Sequence, residues 1–412
     1  MADIIEDFDN MPVGPIGLIV MPGCAELGGK IDRYLVSWRL QRKSEHMETF
    51  AYAEGYQKET FIINALFPRF GTGEGKAVIT QSVRGYDLFI ICDMFNHGIT
   101  YKMYDHEAVP MSPDAHYANL KRVISAIGGK ARRITVIMPM LYEGRQHKRS
   151  GRESLDCATA LQELCNFLGV DNIITFDAHD ARVQNAIPLH GFENVQPVYQ
   201  MIKALVNNIK DIKLDKDHLM IISPDEGGMS RGIYYSTVLE VDLGMFYKRR
   251  DYTCVKNGRN PIIAHEFLGD NVEGKDVVVV DDMISTGESM IEVGRKLKEL
   301  GANRIFICAG FGLFCEGLDS FDQAYKDGLI YRVFTTNLIY RTPELLKREW
   351  YIEVDLSKYI SYIVDTLNHD MSVSKLLNPS DRINNLLIKC GYRKESNACN
   401  CDNVQKADND NQ

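Results

Sequence analysis

The sequence predicts an α/β protein of two doubly wound, mostly parallel-sheet domains, and three observations lead there. Strand-length runs are apolar throughout, VVVV at 277–280 most plainly, which suits parallel strands covered by helices on both faces. Amphipathic helices separate these runs in a recurring strand–turn–helix–strand order. At 412 residues the chain exceeds one typical core, so two α/β units are expected. An antiparallel sandwich would instead alternate with period two between hairpin turns.

In chain order, ITVIMP (134–139) reads as a buried strand. SLDCATALQELCNFLG (154–169) follows as a helix, with Leu155, Leu161, Leu164, Cys165 and Leu168 on one face and Gly169 as its stop signal. IITFD (173–177) and HLMIISPD (218–225) are two further strands. VVVVDD then leads into SMIEVGRKLKELGA, where Met290, Val293, Leu297 and Leu300 recur at helical spacing and Gly301 suits the position after the helix. RIFICAGFGLF (304–314) resumes the sheet. GTGEG (71–75) and the GRNP near 258–261 read as exposed loops, and the polar end from 394 reads as disordered.

Composition excludes several classes. A net charge of −9 argues against general nucleic-acid binding, which needs a positive footprint. No apolar run is long enough to span a bilayer, and the acidic start MADIIEDFDN lacks the features of a secretory signal. Ten cysteines lie scattered, mostly singly in apolar settings such as Cys92, Cys157, Cys165 and Cys308. That usage fits reduced thiols in a cytoplasmic protein better than a disulfide framework. Cys399 and Cys401, close together in the polar tail, lack further metal ligands nearby.

Three strand tips carry polar groups: FDAHD (176–180), SPDEGG (223–228) and VDDMISTGES (280–289). Any one such aspartate is explained as well by helix capping. Together, at the carboxyl ends of parallel strands, they favour a shared ligand cleft. The turn 285–289 leads into a helix, so its amides form an anion cradle, with Ser285, Thr286 and Ser289 adding hydroxyls and Gly287 permitting close approach. Asp281 and Asp282 can then accept from sugar hydroxyls.

This strand, acid pair and Ser/Thr/Gly turn resemble the phosphoribosyl-pyrophosphate signature of type I phosphoribosyltransferases and ribose-phosphate pyrophosphokinases. Other segments resemble the second family alone. SVRGYDLFII (82–91) is similar to its S-[IV]-R-G strand, GRQHKRSGRES (144–154) to R-Q-D-R-K…S-R-E-P, and FDAHDARVQNAIP (176–188) to D-L-H-A…Q-I-Q…I-P. SPDEGGMSRG (223–232) resembles S-P-D-x-G-G-x-x-R, YKRRDY (247–252) the K-R-R before a flexible loop, and 357–378 the closing helix with its V-S-x-L-F end. The order is colinear over roughly 15–380.

The resemblance implies two type I phosphoribosyltransferase-like domains related by pseudo-symmetry: 1–175 on the nucleotide side, with oligomer contacts, and 176–345 with the ribose 5-phosphate site. A helical segment, 346–393, would pack back on the body. It further implies transfer of a pyrophosphoryl group from ATP to ribose 5-phosphate with Mg²⁺, in a homohexamer or dimers of the chain. Lys248 and Arg250 would be catalytic. Phe50, Glu54, Arg145, Gln146 and His179 would bind ATP, the first two from a neighbouring subunit. Asp281, Asp282, Ser285, Thr286, Gly287, Glu288 and Ser289 would hold the ribose 5-phosphate, and His179 and Asp225 the metal.

Four residues depart from the family pattern. Tyr52 and His147 stand where acids are usual, Ser285 replaces an Asp, and Glu288 replaces a small residue. Glu288 is expected to face outward, since a carboxylate beside a bound phosphate repels it. Longer stretches at 93–112 and in the tail have no assigned role. Two alternatives stay open: a relative with altered nucleotide or sugar specificity, and a silent regulatory partner of an active pyrophosphokinase. Retention of His179, Asp225, Lys248 and Arg250 speaks against the second.

Overall fold

The apolar runs become the inner strands of two separate sheets. A computed structural model describes residues 10–44, 52–149, 151–250 and 262–394. Its first half runs β1 (Ile16–Val20), α1 (Ala25–Ser44), a small hairpin of β2 (Ala65–Leu66) and β3 (Val78–Ile79), and β4 (Asp87–Ile91). The stretch 93–112 forms a second hairpin, β5 (Thr100–Met103) with β6 (His106–Pro110). Then come α2 (Pro113–Ile127), β7 (Arg133–Ile137), α3 (Asp156–Gln162), β8 (Asn172–Phe176) and β9 (Gly191–Val195). The helix predicted over 154–169 is broken in register, because a π-helical turn at Glu163–Phe167 follows α3. Gly169 ends it with φ +73°, the left-handed conformation that glycine adopts freely.

The first sheet has the order β1-β4-β7-β8-β9 and is wholly parallel. Leu18 donates to the Phe61 carbonyl and accepts from the Ile63 amide, each at 2.8 Å, so 61–63 lies parallel along the free edge of β1. Winding therefore reverses at β1. Leu27, Ile31 and Leu35 of α1 cover one face, and Leu120, Ile124 and Leu161 of α2 and α3 cover the other. Because β9 joins this sheet, the first unit extends beyond the expected boundary at 175; the 176–188 stretch is a loop between two of its strands, not the start of a new unit.

The second half runs α4 (Val198–Asn208), β10 (Leu219–Ser223), α5 (Met229–Leu239), β11 (Asp242–Arg250), β12 (Ile262–Leu268), β13 (Asp276–Ile284) and α6 (Glu288–Glu299). It continues with β14 (Ile305–Gly312), α7 (Asp319–Lys326), β15 (Arg332–Thr336), β16 (Tyr351–Val354), α8 (Ser357–Asn368), α9 (Ser374–Leu377) and α10 (Ser380–Lys389). The sheet order is β12-β11-β10-β13-β14-β15-β16, parallel except for β12 on β11. The chain leaves β10 toward β11 and later returns to its other side with β13, so the winding reverses between β10 and β13. Doubly wound sheets bind ligands at such a switch point. In the first sheet the corresponding crevice receives protein: Tyr340, in the loop after β15, donates its amide to buried Asp93 at 2.7 Å. In the second sheet the switch point is where the sequence placed its acids.

The segment 346–393, expected to be helical, first supplies the edge strand β16, then α8–α10. Helix α8 lies on α1 through a buried polar network. Arg39 and Arg42 donate to Asp365 at 3.2 and 2.6 Å, Arg39 also reaches Asn368 at 2.6 Å, and His369 Nδ1 meets the Asp365 carbonyl at 2.7 Å. Burial holds the His369 imidazole down at about 4, against an ordinary 6.5. The unfolded chain takes up its proton near 6.5 and the folded one only near 4, so stability falls as pH drops through that window. The expected loss is up to about 3 kcal/mol. His369→Gln, which keeps a neutral donor and acceptor, should flatten the pH dependence of the melting temperature across the same window in scanning calorimetry.

Cys92, Cys157, Cys165 and Cys308 are free and buried, as their apolar settings predict. Among the described residues no helix is long and apolar enough to cross a membrane. The tail from 395, with Cys399 and Cys401, and the GRNP loop lie outside the described residues.

Candidate active site

Strand β13 pairs with β14 as far as Ile284 and Gly312. Asp281 and Asp282 therefore lie inside the strand, not at its tip as the sequence suggested. The main-chain ladder is indifferent to where the side chains turn polar. The turn at 285–287 follows, and α6 starts at Glu288 with Gly287 as its cap residue and no side-chain cap. The amides of Met290 and Ile291 both donate to the Gly287 carbonyl, at 3.0 and 3.1 Å, so the amides ahead of them, at the turn and the first helical positions, are the ones open to an anion. Ser285 and Thr286 are half-buried, while Glu288 and Ser289 are exposed; Glu288 thus stands outward, as expected.

Gly287 has φ +91°, and a Cβ there would stand 2.2 Å from Phe321 Cε2. Strain and clash act together, so Gly287→Ala should cost more than about 1 kcal/mol. It should also open the turn, and titration calorimetry should show weaker ribose 5-phosphate binding. Unchanged binding would mean that the turn does not hold the phosphate.

The paired acids are each met by a cation. Arg231, from α5, donates to Asp177 at 2.7–3.1 Å and stands 3.6 Å from Asp281. His179 Nδ1 lies 2.8 Å from Asp282 Oδ2. Burial drives Asp281 above its ordinary range, and the neighbouring charge of Asp282 adds to this. Burial pushes Asp282 the same way, but the His179 hydrogen bond and Arg231 outweigh it and leave Asp282 below its usual value. The same hydrogen bond raises His179. His179 therefore adds stability below the ordinary histidine range that is lost as pH rises through its raised folded value, and Asp282 adds stability above the ordinary carboxylate range that is lost as pH falls through its lowered one.

Beside these groups opens a cleft of about 650 Å³, lined by His147, Lys148, Asp177, His179, Asp180, Arg182, Ser230, Arg231 and Tyr234. Arg145 crosses from the first unit to the turn of the second, donating to Ser285 Oγ at 3.3 Å. The fold thus unites the 144–149 loop, the 177–182 loop, the start of α5 and the 281–289 segment at one switch point.

Other expected site residues are placed differently. Gln146 turns back on its own loop, donating to the Ser154 carbonyl at 2.9 Å. Asp225 Oδ1 accepts from the amides of Gly227 and Gly228 at 2.9 and 3.3 Å, closing the turn before α5. Glu54 is exposed on a surface turn, and Phe50 lies outside the described residues. Lys248 and Arg250 are on β11, facing His265 and Ile262 of β12 in the ladder; their side chains and the loop 251–261 lie outside the described residues.

Asp177 and Asp180 belong to the FDAHD tip that the sequence set at the cleft, but neither they nor Arg182 and Arg231 were given a role in the site. For Arg231 the signal was present, as the arginine closing SPDEGGMSR. Asp177 has φ +43°, a strained backbone for a residue with a side chain, and no sequence pattern shows it.

Magnesium takes oxygen donors, keeps several waters and commonly bridges substrate phosphates. Among the described residues no three His, Cys, Asp or Glu side chains are arranged to hold a metal. Asp225 is engaged by two amides and His179 by Asp282. This donor set fits a cation that arrives with a polyphosphate, not an ion caged by protein.

Residues 18–167 match the family described as "N-terminal domain of ribose phosphate pyrophosphokinase", and 192–337 match "Phosphoribosyl transferase domain". The chain is 28% identical over 323 residues to the ribose-phosphate pyrophosphokinase of Vibrio cholerae, covering 76% of this chain and 91% of that protein. The enzyme of Vibrio parahaemolyticus is 29% identical with the same coverage. Among solved structures, phosphoribosylpyrophosphate synthetase from Mycobacterium smegmatis superposes with a TM-score of 0.68 at 18% identity, over 86% of this chain and 99% of that one. That likeness bears on the fold.

Proposed function

The chain belongs to the ribose-phosphate pyrophosphokinase family, and on that premise we propose that it transfers the β,γ-pyrophosphoryl group of ATP to the 1-hydroxyl of ribose 5-phosphate. The products are 5-phosphoribosyl 1-pyrophosphate and AMP. The observation that carries this reading is the contact of Arg145 with Ser285 at 3.3 Å, which joins the nucleotide loop to the sugar-phosphate turn at the switch point.

The sugar phosphate sits on the amides and hydroxyls of 285–289, with Asp281 and Asp282 accepting from its ring hydroxyls. In the free protein Asp282 is hydrogen-bonded to His179 and Asp281 stands within ion-pair distance of Arg231, so the sugar hydroxyls meet acids already held by cations. Arg145 and Gln146 bind the nucleotide. The 1-oxygen attacks the β-phosphorus in line, and the bond to the α–β bridging oxygen breaks, leaving AMP. Lys248 and Arg250, at the end of β11, meet the charge that develops on the transferred group. His179 and Asp225 would hold Mg²⁺ with the triphosphate, where it would neutralise phosphate charge. The 50–56 segment would complete a neighbour's nucleotide site, which makes the active species an oligomer.

The test is incubation with ribose 5-phosphate, ATP and Mg²⁺ while following AMP release, with light scattering on the same sample. AMP production by an assembled species is expected. AMP that appears only with a different nucleotide or sugar phosphate would replace the substrate assignment, and a fully active monomer would remove the neighbour's role.

A further inference from the structure

His147 and Asp180 meet across the cleft wall in a contact that the proposed chemistry does not explain. His147 Nε2 stands 3.4 Å from Asp180 Oδ2. Asp180 is also fixed by its neighbour, accepting from the Arg182 side chain at 2.5–3.2 Å and from the Arg182 amide at 2.9 Å. The His147 ring then stands edge-on to the His179 ring, 5.3 Å away at 63°. On its other side His179 is tied to Asp282. His147 Nδ1 is buried without a hydrogen-bond partner. A ring placed only to fill space would not strand a polar nitrogen in this way.

We propose that His147 and Asp180 form a positioning pair that holds His179 against Asp282 and keeps this wall of the cleft from repelling a polyphosphate. Asp180 alone would put a carboxylate beside the bound triphosphate; Arg182 offsets its charge and His147 Nε2 stands against its Oδ2. An aspartate at 147 would instead set two carboxylates against each other.

The inference rests on the proposed reaction for its kinetic readout, and a double-mutant cycle tests it. H147D should lower kcat about tenfold or more while the KM for ribose 5-phosphate moves less than about twofold, because the 285–289 turn that takes the sugar phosphate does not line the wall formed by His147 and Asp180. H147D/D180A should recover kcat to within about threefold of the wild type. A double variant no better than H147D, or losses that simply multiply, would overturn the pairing. A rise in KM for ribose 5-phosphate with kcat unchanged would overturn the positioning role. If the wild type releases no AMP, the proposed function fails independently, and the same cycle is read in calorimetric binding of Mg·ATP, where coupling of at least about threefold is expected and additivity refutes. Should H147D fail to fold, H147N with D180A closes the cycle.

Discussion

Replacing Lys248 with alanine is expected to lower turnover roughly a thousandfold while leaving ATP and ribose 5-phosphate binding nearly intact. The backbone supplies the reason. Strand β11 leaves the switch-point side of its sheet and pairs antiparallel with β12 as far as Arg250 and Ile262, with a register shift at Arg249/Arg250. Lys248 and Arg250 thus stand at the end of a two-stranded arm next to the outermost part of the sheet. On the proposed reading the 285–289 turn and Arg145 supply the ground-state cradle, and cations at the end of such an arm act only on the transferred group. Charge passing to the transferred group and the leaving AMP is then what they stabilise. Steady-state AMP release together with calorimetric binding separates the two quantities. A variant within about tenfold of wild-type turnover, or one that loses substrate binding in proportion, would remove Lys248 from the catalytic role.

The second large effect is on the fold. Arg231→Ala should destabilise the protein by about 3–5 kcal/mol, because it strands the buried Asp177 carboxylate that the guanidinium pairs. The Arg231 side chain is 13% exposed and that of Asp177 4%. Burial pulls the guanidinium down, and Asp177, with Asp282 and Asp281, more than offsets it, leaving Arg231 above its usual range. Asp177 is driven up by burial even with Arg231 present. Its backbone sits at φ +43°, so losing the arginine also releases a strained residue next to His179. Arg231→Lys keeps a charge but not the planar fork that takes both Asp177 oxygens, and it should recover only part of the loss. Denaturant titration reads both variants. A change below about 1 kcal/mol for Arg231→Ala would show that the acids are neutralised another way.

Much of this was legible in the residues. The apolar runs, the glycine stops at 169 and 301 and the helical spacing of Met290, Val293 and Leu297 gave elements close to those observed, because each is set by local pattern. The boundary at 175 was not legible: β9 is partly buried and carries Glu193 and Asn194, so it lacks the apolar signal of an inner strand. The acid pair was legible as chemistry but misplaced as geometry, since hydrogen bonding to β14 carries β13 beyond it. His147 read as a departure, and only its contact with Asp180, across more than thirty intervening residues, gives it a partner.

By itself the sequence determined the most apolar inner strands and the helices that follow them, and which loop carries hydroxyls, a glycine and two acids ahead of a helix. Those follow from side-chain pattern and backbone preference over a few residues. The tertiary structure alone decided where the winding reverses, and so that β10 and β13 open a crevice while the equivalent place in the first sheet is occupied by the loop bearing Tyr340. It also decided that Arg231 and His179 share the acids. Groups far apart in the chain acquire their charge state from burial and from one another, and neither is set until the sheets are packed.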